Sequence, residues 1–233
     1  MIELYDLAGK DGRRFSPNCW RTRMALAHKG LERRAVPVHF ADIPHIAGGN
    51  QKTVPVIADG GIVVADSWKI AKYLEQTYPD APSLFGSPEA LALTMFVQGW
   101  TADVLHWHVI RLILHDIYMQ LDDGDKAYFR STCEKRFGRT LEDVQSGHEM
   151  RVTEFRASLQ PLRLLLQAQL WLGGDSPHYG DYLIFGAFQW ARVVSSFALL
   201  APDDLVARWF ERCLDLFAGL GRRALPAQER DSH

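Results

Sequence analysis

Cysteine is scarce in this chain. The three present, Cys19, Cys133 and Cys213, are scattered and odd in number among 233 residues. They form neither a CxxC pair nor a zinc spacing, which excludes a disulfide framework and points to reduced thiols in a cytoplasmic setting. Long apolar runs are also missing. Val193 to Leu200 is short and interrupted by Ser195 and Ser196, so no bilayer span is expected. The opening MIELYDLAGKDGRR has no signal-peptide core. Charge of one sign is not in excess: 26 Lys and Arg face 28 Asp and Glu, for a net −2. That balance gives no reason to expect nucleic acid or an anionic membrane as partner. There is no internal repeat and no low-complexity block. His106 and His108 face different sides of a helix, and His108 and His115 lack a third ligand at helical spacing, so no metal site is expected.

What is present changes character along the chain. Residues 1–80 alternate strand and helix patterns. Ile2-Glu3-Leu4-Tyr5 reads as a strand, and Trp20, Met24, Ala27 and Leu31 recur at helical spacing after it. Val36, Val38 and Phe40 form a second strand pattern. Residues 41–53, with Pro44, Gly48 and Gly49, read as a loop. Val54–Ala58 and Ile62–Ala65 flank Asp59-Gly60-Gly61, a hairpin signal. Asp66-Ser67 then opens a helix with Ile70, Ala71, Leu74 and Tyr78 on one face. Residues 81–87 read as a linker, and 88–233 as all helical. Helices are expected over 88–120, 124–146 and 152–172, the last stopped by Gly173-Gly174. A further one, apolar all round, runs from Tyr182 to Leu200, and another from Pro202-Asp203-Asp204 to Phe217. The tail from Gly221, ending Gln228–His233, is expected to fray.

One stretch carries the chemistry: Phe15-Ser16-Pro17-Asn18-Cys19-Trp20. Ser16 stands where an N-cap belongs, Pro17 at the first helical position, and Gly30 at the helix end. A helix N-terminus favours anions, thiolates included. The same residues also read as an ordinary capped helix over a buried cysteine. Pro55 inside a strand pattern is either an edge proline or a cis Val54–Pro55 bond that exposes the Val54 backbone to an extended ligand. Asp66-Ser67 taken alone is a plain N-cap.

Together these features resemble the cytosolic glutathione S-transferase family over essentially the full length. Ser16-Pro17-Asn18-Cys19 matches the catalytic helix start, Val54-Pro55 the cis-proline, and Asp66-Ser67 the acidic-Ser pair. Asp181 before an apolar helix matches a buried aspartate of the second domain. His178 departs from the family's usual Ser or Thr three residues earlier, which puts the capping box in question. The run through Arg23 and Ala27-His28-Lys29-Gly30 is similar to bacterial lignin β-aryl-etherase-type transferases and their fungal serine-type relatives.

The resemblance implies a thioredoxin-like first domain (βαβ-ββα), an all-helical second domain, and a homodimer. It implies glutathione as co-substrate and a hydrophobic, aromatic electrophile, with β-aryl ether cleavage as the branch's reaction. Ser16 would donate to the glutathione sulfur, with Asn18 and first-turn N–H groups helping. Cys19 would instead support thiol transfer through a mixed disulfide. Val54, Pro55, Asp66 and Ser67 would hold glutathione, with Lys52 and His39 as partners of its glycyl carboxylate and Trp68 flanking. Trp107, His108, Arg111 and His115, a stripe with Trp100, either line the electrophile site or pack the domains together. A binding protein with the same fold and little turnover is the reading from another class.

Overall fold

A computed structural model of the protein describes residues 1–227. The first part is β1 (Ile2–Leu7), α1 (Pro17–His28), β2 (Arg33–Val38), β3 (Val56–Asp59), β4 (Ile62–Ala65) and α2 (Ser67–Thr77). The sheet order is β2-β1-β3-β4, with β1 parallel to β2 and antiparallel to β3, and β3 antiparallel to β4. This mixed sheet is the thioredoxin-like arrangement expected from the strand and helix order. The loop expected over 41–53 is tighter than a coil: Phe40–Gly48 winds as 3-10 turns.

The remainder is helical. α3 (Pro88–Trp100) and α4 (His106–Met119) form one rod joined by a π-helical turn, Thr101–Leu105. Thr101 lies buried in that turn and returns its hydroxyl to the Val97 carbonyl at 2.7 Å. The expected single helix over 124–146 is two: α5 (Asp123–Phe137) and α6 (Leu141–Gln145). Gly138, at φ +66°, ends the first through a left-handed C-cap. The expected helix over 152–172 is likewise α7 (His148–Ser158) and α8 (Gln160–Ala168). Pro161 stands in the first turn of α8, where its missing N–H costs nothing. The apolar helix α9 (Tyr179–Val194) begins and ends earlier than its hydropathy suggests. Every residue of α9 except Arg192 is buried. α10 (Leu205–Gly219) starts on Asp204, whose carboxylate accepts from Val206 N–H at 2.9 Å.

α9 is the central rod, and its face meets α1 of the first domain. Gly186 makes this possible: a Cβ there would lie 2.4 Å from the Pro17 carbonyl oxygen. Asp181, fully buried, ties the start of α9 to its surroundings. It accepts from the N–H groups of Leu172 (2.9 Å), Gly173 (3.4 Å) and His178 (3.0 Å), and from Trp209 Nε1 (2.9 Å). The carboxylate half of the capping box is therefore in place with histidine at 178. Residues 221–227 are held rather than frayed: Arg192 bonds the Ala224 carbonyl at 2.7 Å, and Ala227 N–H bonds Arg192 at 2.9 Å. The expected fraying of Gln228–His233 lies outside the described residues. No helix is long and apolar enough to cross a membrane among the described residues.

Candidate functional site

The first helix is capped as its sequence dictates. Ser16 Oγ accepts from Cys19 N–H at 3.3 Å, and Pro17 takes the first helical position. A hydroxyl can accept that bond and still donate its own proton. Ser16 is 6% exposed and Asn18 is half-buried in the same turn. Cys19 points inward and is 1% exposed. Burial pushes its thiol well above the ordinary value, the buried Asp6 carboxylate pushes the same way, and the hydrogen bond from Ser16 opposes only in part.

The Val54–Pro55 bond is cis. Among the described residues no hydrogen bond engages the Val54 backbone. Asp66 N–H bonds the Pro55 carbonyl at 3.1 Å, which couples the proline turn to the start of α2. Asp66 holds φ at +80°, a left-handed conformation that costs a non-glycine residue on the order of 1 kcal/mol or more. In that pose Oδ1 accepts from the N–H groups of Trp68 and Lys69, each at 3.0 Å. One oxygen thus caps the helix, leaving the second for another donor. Ser67 is buried, and its carbonyl accepts from Tyr179 Oη at 2.7 Å. Trp68 packs against Phe85 and Tyr179, with ring centroids 5.6 and 5.8 Å away.

Lys52 is exposed. His39 faces two acids of the second domain, Asp122 at 3.4 Å and Asp125 at 3.3 Å, so its ring is engaged across the domains. The stripe on α4 packs within the helical domain. Trp107 stacks on Phe137 at 5.7 Å, with Arg111 over its ring at 5.3 Å. His108 meets Phe155, and His115 sits 3.4 Å from Glu142.

A different pair from the same rod reaches the first domain. Arg21, 2% exposed, donates to His106 Nε2 at 3.0 Å and Gln98 Oε1 at 3.4 Å. Burial lowers the Arg21 pKa to about 10, against the attraction of Tyr179 and Asp66. Its positive charge therefore acts within range of the Asp66 carboxylate. Sequence periodicity did not single out Arg21, Gln98, His106 or Tyr179. A polar residue beside Trp20 reads as the exposed face of α1, and only the partner helix makes that face internal.

Residues 15–77 match the family described as "Glutathione S-transferase, N-terminal domain", and residues 92–216 match "Glutathione S-transferase, C-terminal domain". A glutathione S-transferase-like protein of Aspergillus flavus is 26% identical over 205 residues, covering 76% of this chain and 74% of that protein. Glutathione S-transferase Z1 of Arabidopsis thaliana is 38% identical over 69 residues, 28% of this chain and 31% of that one. Among solved structures, a glutathione S-transferase of Ceriporiopsis subvermispora in complex with glutathione superposes with a TM-score of 0.74. It is 28% identical and covers 96% of this chain and 94% of its own. A glutathione transferase of Phanerochaete chrysosporium gives a TM-score of 0.75 at 29% identity, covering 97% and 99%. The two family matches, set on a mixed four-stranded sheet and a helical domain in the same order, make this chain a member of the glutathione S-transferase family.

Proposed function

We propose that the protein activates the thiol of glutathione with Ser16 and delivers the thiolate to a hydrophobic, aromatic electrophile. The observation that carries this reading is the contrast within one helical turn. Ser16 Oγ caps the turn and retains a proton to donate, whereas Cys19 is buried with its thiol held protonated. A thiolate stabilised by a hydroxyl donor and a helix N-terminus needs no nucleophile from the protein. Thiol transfer would need Cys19 as thiolate, and burial opposes that.

In this reading the Val54 backbone pairs with the glutathione main chain. The second oxygen of Asp66 takes the ligand's amino group, and Ser67 at the start of α2 receives its glutamyl carboxylate. The glycyl end is left to Lys52, since His39 is engaged by Asp122 and Asp125. The electrophile lies between α1 and the α3–α4 rod, on the side of Gln98 and His106. Trp107, His108, Arg111 and His115 then shape that rod from behind.

For a β-aryl ether, the glutathione sulfur would bond to the β carbon as the bond from that carbon to the aryloxy oxygen breaks. The phenolate would leave with the electron pair and take a proton from solvent. The domains meet near residues 81–87, the working form is a homodimer, and the unpaired cysteines fit a reducing cytoplasm. The test is a panel of aryl ethers, aryl halides and disulfides incubated with and without glutathione and read by mass spectrometry. Glutathione adducts on carbon support the reading. Disulfide exchange alone would replace it with thiol transfer, and no turnover with intact glutathione binding would make the protein a binder.

A further inference from the structure

A cleft of about 500 Å³ opens between the β1–α1 loop, the end of α9 and the segment 220–225. Arg13, Arg14, Arg23 and Arg223 line it, together with Trp20 and Leu225. The proposed chemistry at Ser16 does not use it. For a chain of net charge −2, four guanidiniums at one cleft are a local reversal of sign. Among the described residues, the carboxylates near them are Asp11 on the rim and Asp6 beneath, and Asp6 is already taken by Arg23 at 2.5 Å.

The arginines are anchored by one edge each. Arg13 Nη1 bonds the Val193 carbonyl at 2.7 Å and that of Leu225 at 3.2 Å. Arg14 Nη1 bonds the Asp6 carbonyl at 2.8 Å. Arg23 uses Nε on Asp6 and lies over the Trp20 ring at 5.1 Å. Arg223 Nη1 bonds the Ala218 carbonyl. A guanidinium has five donors in a rigid fork, so one anchored edge leaves others to present. Holding these cations together is costly. Burial lowers the Arg14 pKa, with Arg23 adding to the effect and Asp6 opposing it. Arg33, on the neighbouring strand, is lowered by burial and then by Arg23, with Arg223 adding a smaller push.

We propose that this cleft is a second ligand site, one that takes a small anion with adjacent phosphate groups, either free polyphosphate or a nucleotide. Planar forks match tetrahedral oxyanions two bonds at a time, and several forks around one cleft suit more than one phosphate. The cleft's size lies within the usual range for small-molecule sites. The apolar side chains of Leu220 and Leu225 at the same opening would cover a nucleotide's base.

The experiment is calorimetry on the full chain at low salt with inorganic pyrophosphate, ATP and adenosine, with and without saturating glutathione. Pyrophosphate binding as tightly as ATP assigns free polyphosphate, and tighter ATP assigns a nucleotide. Arg223→Glu should weaken the bound anion by about tenfold or more. Arg34→Glu, which makes the same charge change at an exposed residue paired with Glu3, should leave binding unchanged. Failure of both anions to bind at millimolar concentration would overturn the proposal. So would adenosine binding as well as ATP, equal weakening by the two variants, or displacement by glutathione.

Discussion

Arg21 Nη2 lies 3.0 Å from His106 Nε2, a buried contact between the first helix and the helical rod of the second domain. Arginine can only donate, so Nε2 must accept and the ring proton must sit on Nδ1. Burial lowers His106 to about 3, and the charges of Arg21 and Arg136 act in the same direction. The neutral ring is thus a condition of the domain contact.

A pH dependence follows. Above the ordinary histidine value of 6.5, His106 is neutral in both folded and unfolded chains and contributes no slope. Between 6.5 and about 3, the unfolded chain takes up a proton that the folded one refuses, so stability falls as the pH falls. His106→Gln keeps an acceptor for Arg21 and should flatten that loss. Urea unfolding of both proteins across the window checks it, and equal slopes would show that His106 titrates freely.

Ser16 and Cys19 separate by mutation. Ser16→Ala should raise the pH midpoint of thiolate formation in the glutathione complex and slow conjugation on the order of hundredfold. Cys19→Ala should keep conjugation, with only a packing loss. Thiolate absorbance and adduct formation measured across pH would reverse the assignment if Cys19→Ala were the inactive variant.

Asp66→Asn isolates charge from geometry. Asparagine tolerates the left-handed backbone and can still cap Trp68 and Lys69, but it loses the anion. Glutathione affinity should drop by about 1.5–3 kcal/mol, the worth of a charge-assisted bond. Unchanged affinity by calorimetry would remove Asp66 from the ligand's contacts.

The helix crossing at Gly186 gives a structural control on activity. Gly186→Ala puts a methyl 2.4 Å from the Pro17 carbonyl oxygen, so α9 must move away from the first turn of α1. We expect a loss of about 1–3 kcal/mol from overpacking and slower conjugation in the folded protein. Gly180→Ala, on the same helix, meets Leu172 at an ordinary 3.6 Å and should be tolerated. Similar unfolding curves for the two variants would refute the crossing argument.

Asp181→Ala would leave the Leu172 and His178 N–H groups and the Trp209 ring nitrogen buried without their acceptor. Each such donor costs about 1–3 kcal/mol, so denaturant unfolding should show a loss of at least about 3 kcal/mol. A smaller loss would mean that water enters and replaces the carboxylate.

Local chemistry was readable wherever it is set by neighbours in the chain. Ser16 before Pro17 makes a cap, Asp59-Gly60-Gly61 makes a hairpin, and Asp66-Ser67 starts a helix, because each uses bonds that reach only a few residues. The continuous apolar pattern of α9 likewise declared a helix buried on every side. Breaks were harder to see. Gly138 and Pro161 divide stretches whose hydropathy runs on across them, and Ser195 ends α9 although the sequence stays apolar to Leu200.

What only the tertiary structure decided is which faces meet. Trp107, His108, Arg111 and His115 lie on the same helix as His106, yet the rotation of the rod turns them toward α5, α6 and α7 and gives His106 to Arg21. The placing of Asp122 and Asp125 beside His39 likewise comes from the fold, which brings the start of α5 to the loop after β2. The sequence by itself determined the capped helix at Ser16, the order of strands and helices, and the aspartate at the head of α9, since these rest on local bonds and hydrophobic period. The burial of Arg21, the protonated state of Cys19 and the arginine-lined cleft depend on charges brought together from distant positions, and Coulomb and desolvation energies follow distance in space, not separation along the chain.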